Sequence, residues 1–209
     1  MADDTIFAEA AETVPLMAIL RGFSSGMTLE LCERAWSVGI ALVEIPVQTP
    51  DAVATLAGAA KLAAARGRLV GAGTVTDVAL VDAARSAGAG FTVAPGFDEE
   101  VARASRSEGM AHLPGVGTAT EVQRALAAGF SWLKAFPAAQ LGTDWPRAIH
   151  GPFPEARFVA TGGTTVGSAE DFLAGGADIV ALGSALADDT QVEGLRGLVE
   201  RTRRSLETN

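Results

Sequence analysis

The chain has 209 residues, 48% of them hydrophobic and 20% charged, enough apolar material to bury one sizeable core in one domain spanning residues 1–209. Its net charge of −9 argues against nucleic acid, which is held by clustered Lys and Arg, but leaves room for a small anion in a locally positive pocket. A single cysteine, Cys32, excludes an internal disulfide and a cysteine-rich metal site.

The first residues, MADDTIFAEAAETVP, are acidic and lack the basic and apolar regions of a signal peptide. No apolar run reaches the ~20 residues of a membrane span, so a soluble cytoplasmic protein with no membrane partner is expected. A short N-terminal helix is expected before a first strand near 16–20. The helical stretch LELCERAW follows and holds Cys32, read as a small buried apolar residue. From there one unit recurs: a helical stretch, a glycine, then a short apolar run. It appears as SVGIALVEI, SAGAGFTVAP, SEGMAHLPGV, AAGFSWLKAF and AGGADIVALG. Gly39, Gly88, Gly109, Gly129 and Gly176 are separated by 49, 21, 20 and 47 positions, so the longer gaps hold two units. Glycine closes a helix in the left-handed conformation, and the apolar run after it reads as a buried parallel strand.

This count predicts further strands near 41–47, 69–72, 91–94, 110–113, 131–136, 157–160 and 178–182. Helical patterns include 51–65, 77–87 and 120–128, and a longer one at 192–206 closes the chain. Eight βα units predict an α/β fold, a (β/α)₈ TIM barrel, with an open doubly wound sheet as the alternative. Active sites of such barrels gather at the C-terminal ends of the strands. Those ends are Arg21, Glu44, Thr74, Pro95, Pro114, Lys134, Thr161-Gly162-Gly163 and Gly183-Ser184.

Lys134 is one of two lysines against fourteen arginines and sits in the apolar FSWLKAFPA. Burial disfavours an ammonium, leaving a free amine that can attack a carbonyl. Taken alone, it reads equally as a snorkelling lysine or half of an ion pair. Lys61, in AAKLAAARGR, reads as a solvated helix residue. Glu44 lies in the apolar ALVEIPV, where a carboxylate is costly unless paired or functional; it is a counter-ion or a general base. Strands 2 and 6 face each other across such a barrel, so both side chains can enter one pocket. ATGGTT and LGSAL, after the last two strands, offer backbone N–H groups to an anion. GAGT, at 71–74, lacks the third glycine of a dinucleotide fingerprint and reads as close backbone approach. His112 and His150 lack metal-ligand spacing and read as structural, and neither a GxSxG elbow nor a P-loop is present.

Together, VPLMAILRG, VEIPVQTP, VGAGTV, VAPGF, LPGVGTATE, LKAFPA, GPFPEARFVATGG and ALGSAL resemble the 2-keto-3-deoxy-6-phosphogluconate (KDPG) aldolases. Their relatives act on 4-hydroxy-2-oxoglutarate or on the 6-phosphogalactonate epimer. The resemblance spans roughly residues 14–186. It implies a trimeric, metal-free and cofactor-free class I aldolase acting on pyruvate and a 2-keto-3-deoxy sugar-acid phosphate. Carried over by position, Lys134 matches the Schiff-base lysine and Glu44 the proton-transfer glutamate. Thr74 looks like the residue beside the pyruvyl carboxylate, and Phe136 and Pro95 like pocket walls. Gly162, Gly163 and Ser184, with Thr161 and Gly183 beside them, look like the phosphate cradle. Many members carry an arginine where this chain has Gln48; Arg21 is the expected substitute on the substrate carboxylate. EIPVQTP resembles the galactonate-type enzymes, whereas TGG and GPFP resemble the gluconate type, which is the preferred reading. A member without the phosphate requirement, or a keto-acid binder without turnover, is the alternative.

Overall fold

The computed structural model describes residues 4–183 and 185–207. Nine parallel strand segments form one sheet: β1 (Leu16–Ile19), β2 (Leu42–Pro46), β3 (Gly71–Gly73), β4 (Phe91–Val93), β5 (Ala111–Leu113), β6 (Gly115–Val116), β7 (Trp132–Ala135), β8 (Arg157–Ala160) and β9 (Ile179–Leu182). Their order, β5-β4-β3-β2-β1-β9-β8-β7-β6, begins and ends on consecutive pieces of chain. Pro114 stands between those pieces and has no N–H to give a ladder. Beyond it, Gly115 donates to the Gly96 carbonyl (3.1 Å), and β6 turns to pair with β7. Nine segments therefore fill eight barrel positions, and the expected TIM-type barrel is nearly closed.

Helices alternate with the strands: α1 (Thr5–Thr13) before β1, then α2 (Ser25–Ser37), α3 (Pro50–Ala64), α4 (Val78–Ser86), α5 (Glu99–Ser107) and α6 (Ala119–Ala127). Ser24, Thr49, Asp77, Asp98 and Thr118 each cap the following helix by accepting a backbone N–H on the side-chain oxygen. Each such cap stabilises by about 1 kcal/mol and starts a helix at the C-terminal face. Where one helix was expected per unit, two short ones follow β7: α7 (Ala138–Leu141) and α8 (Trp145–His150), parted at Gly142, where φ is 90°. Next come α9 (Ala169–Ala174) and α10 (Asp189–Glu207). The five recurring glycines all have positive φ, between 77° and 99°, as helix-closing residues should.

Two apolar layers result. One lies between strands and helices, and Cys32 belongs to it. The other fills the barrel with Met17, Leu42, Phe91, Leu113, Trp132 and Ile179. Phe7 of α1 plugs the N-terminal end, its ring 5.7 Å from Phe91 and 5.8 Å from Trp132. The barrel therefore opens at its C-terminal face. One strand expectation was displaced: 69–72 begins at Gly71 instead, and Leu69 lies half exposed. Its apolar signal belonged to the surface, and the true strand is mostly glycine.

Candidate active site

Side chains alternate across a strand, so residues two apart share a face. Leu42 and Trp132 belong to the barrel interior, which places Glu44 and Lys134 there too, one level nearer the open mouth. A cavity of about 460 Å³ holds both, a volume suited to a small metabolite. Arg21, Phe136, Thr161, Gly162, Gly163 and Gly183 also line it. Of the expected site residues, these eight are brought together.

Glu44 is 0% and Lys134 4% exposed. Burial pushes the Lys134 amine below its ordinary range; Glu44 opposes that and Arg21 adds to it. Burial likewise pushes the Glu44 carboxyl up, against the pull of Lys134 and then Arg21. Both shifts favour the neutral forms. The two groups feel each other across the cavity without a direct ion pair among the described residues, and neither Glu44 oxygen has a hydrogen-bond partner. The Phe136 ring lies 4.9 Å from Lys134 Nζ, a cation–π contact for a cationic nitrogen formed there.

Arg21 follows β1 at the rim. Its Nη2 donates to Thr74 Oγ1 (2.9 Å) and its Nη1 to Gln48 Oε1. Thr74 has φ 60°, a left-handed conformation that a β-branched residue adopts only at a cost of about 1–3 kcal/mol. That strained backbone aims the Thr74 hydroxyl at the guanidinium. Gln48 itself lines a second cavity, of about 530 Å³, on the other side of Arg21 and Phe23. Ser24, Ser25, Thr28, Thr49 and Thr55 there are engaged in helix caps and local hydrogen bonds. Among the described residues, Arg21 alone of the cationic side chains lines both cavities.

The loop after β8 is held against α7: Ala138 and Ala139 donate to the carbonyls of Thr161 (2.7 Å) and Gly162 (3.0 Å). A side chain on Gly162 would meet the Phe136 ring, and one on Gly163 would meet Ala139. Both glycines are thus needed for close approach, while no backbone acceptor among the described residues takes their N–H groups. Thr161 Oγ1 is buried without a partner. Ser184 lies outside the described residues. Pro95 is half-buried beyond β4 with its carbonyl against Gly115, and does not line the Lys134 cavity.

Phe23, Thr164 and Thr165 also line the cavity and were not singled out in the sequence. Thr164 Oγ1 donates to the Ala181 carbonyl, tying the glycine loop to β9. The signal was present in ATGGTT, whose threonines follow the glycines directly. His112 and His150 stand elsewhere, bonded to Thr92 Oγ1 (2.8 Å) and the Ala156 carbonyl (2.9 Å). Cys32 is buried, and its thiol is pushed up to about 12. No group of three His, Cys, Asp or Glu fit to hold a metal occurs among the described residues, and no helix there is long and apolar enough to cross a membrane.

The family model described as "KDPG and KHG aldolase" matches residues 8–196. The protein named "Probable 2-dehydro-3-deoxy-6-phosphogalactonate aldolase" from Rhizobium meliloti is 37% identical over 82% of this chain and 81% of its own length. The Treponema pallidum "2-dehydro-3-deoxy-phosphogluconate aldolase" is 36% identical over 81% and 80%. A solved KDPG aldolase from Legionella pneumophila, with pyruvate captured as a covalent carbinolamine, superposes with a TM-score of 0.78 at 26% identity, covering 94% of this chain and 96% of that one. A match over nearly the whole barrel and two relatives above 30% identity carry one conclusion: this chain belongs to the KDPG and KHG aldolase family.

Proposed function

We propose that the chain is a class I aldolase cleaving 2-dehydro-3-deoxy-6-phosphogluconate to pyruvate and D-glyceraldehyde 3-phosphate. One observation carries the reading: a buried amine and a buried carboxyl, both shifted toward neutrality, share a cavity whose rim holds an arginine. The neutral Lys134 amine attacks the C2 ketone, and loss of water leaves an iminium. As the C3–C4 bond breaks, its electron pair flows into the iminium to form an enamine. The positive charge of the iminium favours the ionised form of Glu44, whose carboxylate accepts the C4 hydroxyl proton, directly or through a water, and returns a proton to C3; hydrolysis then frees pyruvate and Lys134. The iminium is the electron sink, so the reaction needs no metal and no cofactor. The covalent pyruvate adduct of the Legionella relative supports this route.

Arg21, steadied by Thr74 and Gln48, holds the substrate carboxylate. The N–H groups of Gly162 and Gly163, beside Gly183, hold the phosphate, with Phe136 as a wall. The enzyme is a cytoplasmic homotrimer. The resemblance of TGG and GPFP to the gluconate type supports that epimer, and the partnerless Thr161 hydroxyl offers a hydrogen bond by which a substrate hydroxyl is discriminated. Gln48 at Arg21, with the Rhizobium relative's name, favours a second reading: the galactonate epimer. The test measures pyruvate release from both phosphorylated epimers, from 4-hydroxy-2-oxoglutarate and from the unphosphorylated sugar acid. The gluconate epimer should give the highest kcat/KM, and dephosphorylation should lower it by several orders of magnitude. Preference for the galactonate epimer selects the second reading. Equal turnover of the unphosphorylated acid removes the phosphate site.

A further inference from the structure

Strand β3 is Gly-Ala-Gly, and its two inward positions place no side chain in the barrel. Neighbouring strands fill the space. A Cβ on Gly71 would fall on the Phe91 ring of β4, and one on Gly73 would fall on the Glu44 carboxylate of β2. The lower gap is taken up by apolar packing, and the upper one seats an ionisable group. Glu44 pairs in register with Gly71, and Pro46 with Gly73, so the Glu44 side chain leans along the strands toward the mouth to reach the upper gap.

The seat matters because no hydrogen bond holds Glu44. Neither carboxylate oxygen has a hydrogen-bond partner, so no polar contact within the protein selects its rotamer. The shape of the gap is what remains. Gly73 has no positive φ, so an alanine there would be tolerated by the backbone, and any effect comes from its methyl group. That methyl would strike the end of a flexible side chain, which can swing aside while the strands stay paired.

We propose that Gly73 is a positioning residue for proton transfer: its missing side chain is the seat of the Glu44 carboxylate, and filling that seat moves the carboxylate out of its working place in the Lys134 cavity. This rests on the aldolase reading above, in which Glu44 moves the proton at C3. The Lys134 amine is untouched, so imine formation and proton transfer should come apart.

The experiment compares wild type, Gly73→Ala, Glu44→Asp, Gly73→Ala/Glu44→Asp and Gly73→Ala/Glu44→Ala. Two rates are read with pyruvate: borohydride trapping at Lys134, and exchange of the pyruvate methyl protons with deuterium oxide. Gly73→Ala should trap pyruvate as wild type does but exchange at least about 100-fold more slowly, the scale of a lost general base. The shorter aspartate leaves room for the methyl, so Gly73→Ala/Glu44→Asp should exchange about tenfold faster than additive losses predict. Wild-type exchange by Gly73→Ala, or strictly additive losses, overturns the proposal. A thermal arm stands if Gly73→Ala folds poorly. The Tm it loses should return in Gly73→Ala/Glu44→Ala, where the colliding carboxylate is gone; if the double variant is no more stable, the methyl acts elsewhere and the proposal fails. Should wild type neither trap nor exchange, the aldolase reading fails instead, while the thermal arm still decides whether Gly73 seats Glu44.

Discussion

Two groups of buried polar side chains occupy the same barrel wall, one on its outer face and one inside its mouth. Outside, between β4, β5 and α5, Thr92 Oγ1 donates to Ser105 Oγ (2.8 Å) and meets His112 Nδ1 (2.8 Å). Only His112 Nε2 in that group lacks a partner, and the ring rests edge-to-face on Phe130 at 5.9 Å. Inside, both Glu44 oxygens and the Thr161 hydroxyl lack partners, and Lys134 makes no ion pair among the described residues. An unmet buried polar group costs about 1–3 kcal/mol. The outer group is therefore mostly architecture, while the inner one gives up stability and leaves its valences for something that enters.

The largest test of that contrast acts on the inner group. Lys134→Met keeps most of the length of the side chain and removes the amine, so pyruvate release should fall by several orders of magnitude and borohydride trapping should vanish. The same change removes a buried amine without a counter-ion in contact, so Tm should rise. Glu44→Gln should keep trapping, slow proton exchange and also raise Tm. Thr92→Val, in the outer group, should do the reverse: leave turnover alone and lower Tm. If Lys134→Met loses stability as Thr92→Val does, the amine is structural and the contrast collapses.

A smaller effect is expected at the rim, where the inner group meets solvent. A guanidinium binds a carboxylate through two charge-assisted hydrogen bonds, and a glutamine cannot match it. Arg21→Ala should weaken pyruvate capture by roughly 10- to 100-fold, the value of one charged hydrogen-bonding group. Gln48→Ala should weaken it less, because Gln48 faces the adjoining cavity and acts only through Arg21. The reverse ranking would make Gln48 the anchor and place the carboxylate on the other side of Arg21.

Much of this arrangement was legible in the sequence. The recurring helix–glycine–strand unit led to the barrel, and a lone lysine and lone glutamate in apolar runs led to the cavity, since both patterns are local. Long-range consequences were not legible. The break at Pro114 depends on Gly96, a residue 18 positions earlier, and the pairing of Arg21 with Gln48 and Thr74 joins three strand ends. The strand that seats Glu44 was misplaced by two residues because its inward positions are glycines, which carry no apolar signal. What reads as an absence along the chain is a volume in the folded barrel.

The smallest effect compares the two groups through acid. Burial holds the His112 imidazole neutral, its pKa pushed down to about 3, with Arg106 adding to the effect. In the unfolded chain it would take a proton near pH 6.5. Above that value both states are neutral and His112 contributes nothing to pH dependence. Below it the unfolded chain binds a proton that the folded one refuses, so stability falls from about pH 6.5 toward about pH 3. At a slope of ~1.4 kcal/mol per pH unit, the loss reaches about 2 kcal/mol at pH 5. Glu44 works the other way. Its folded carboxyl holds a proton more readily than the unfolded one, so falling pH stabilises the fold through Glu44. His112→Phe keeps a ring against Phe130 and leaves the Thr92–Ser105 bond, so its Tm at neutral pH should stay near wild type. Between pH 6.5 and 5 its Tm should fall less steeply, while that of Glu44→Gln should fall more steeply. Differential scanning fluorimetry of the three proteins across that range reads both slopes. Parallel curves for wild type and His112→Phe would mean that the outer group admits a proton, and its closed architecture would have to be abandoned.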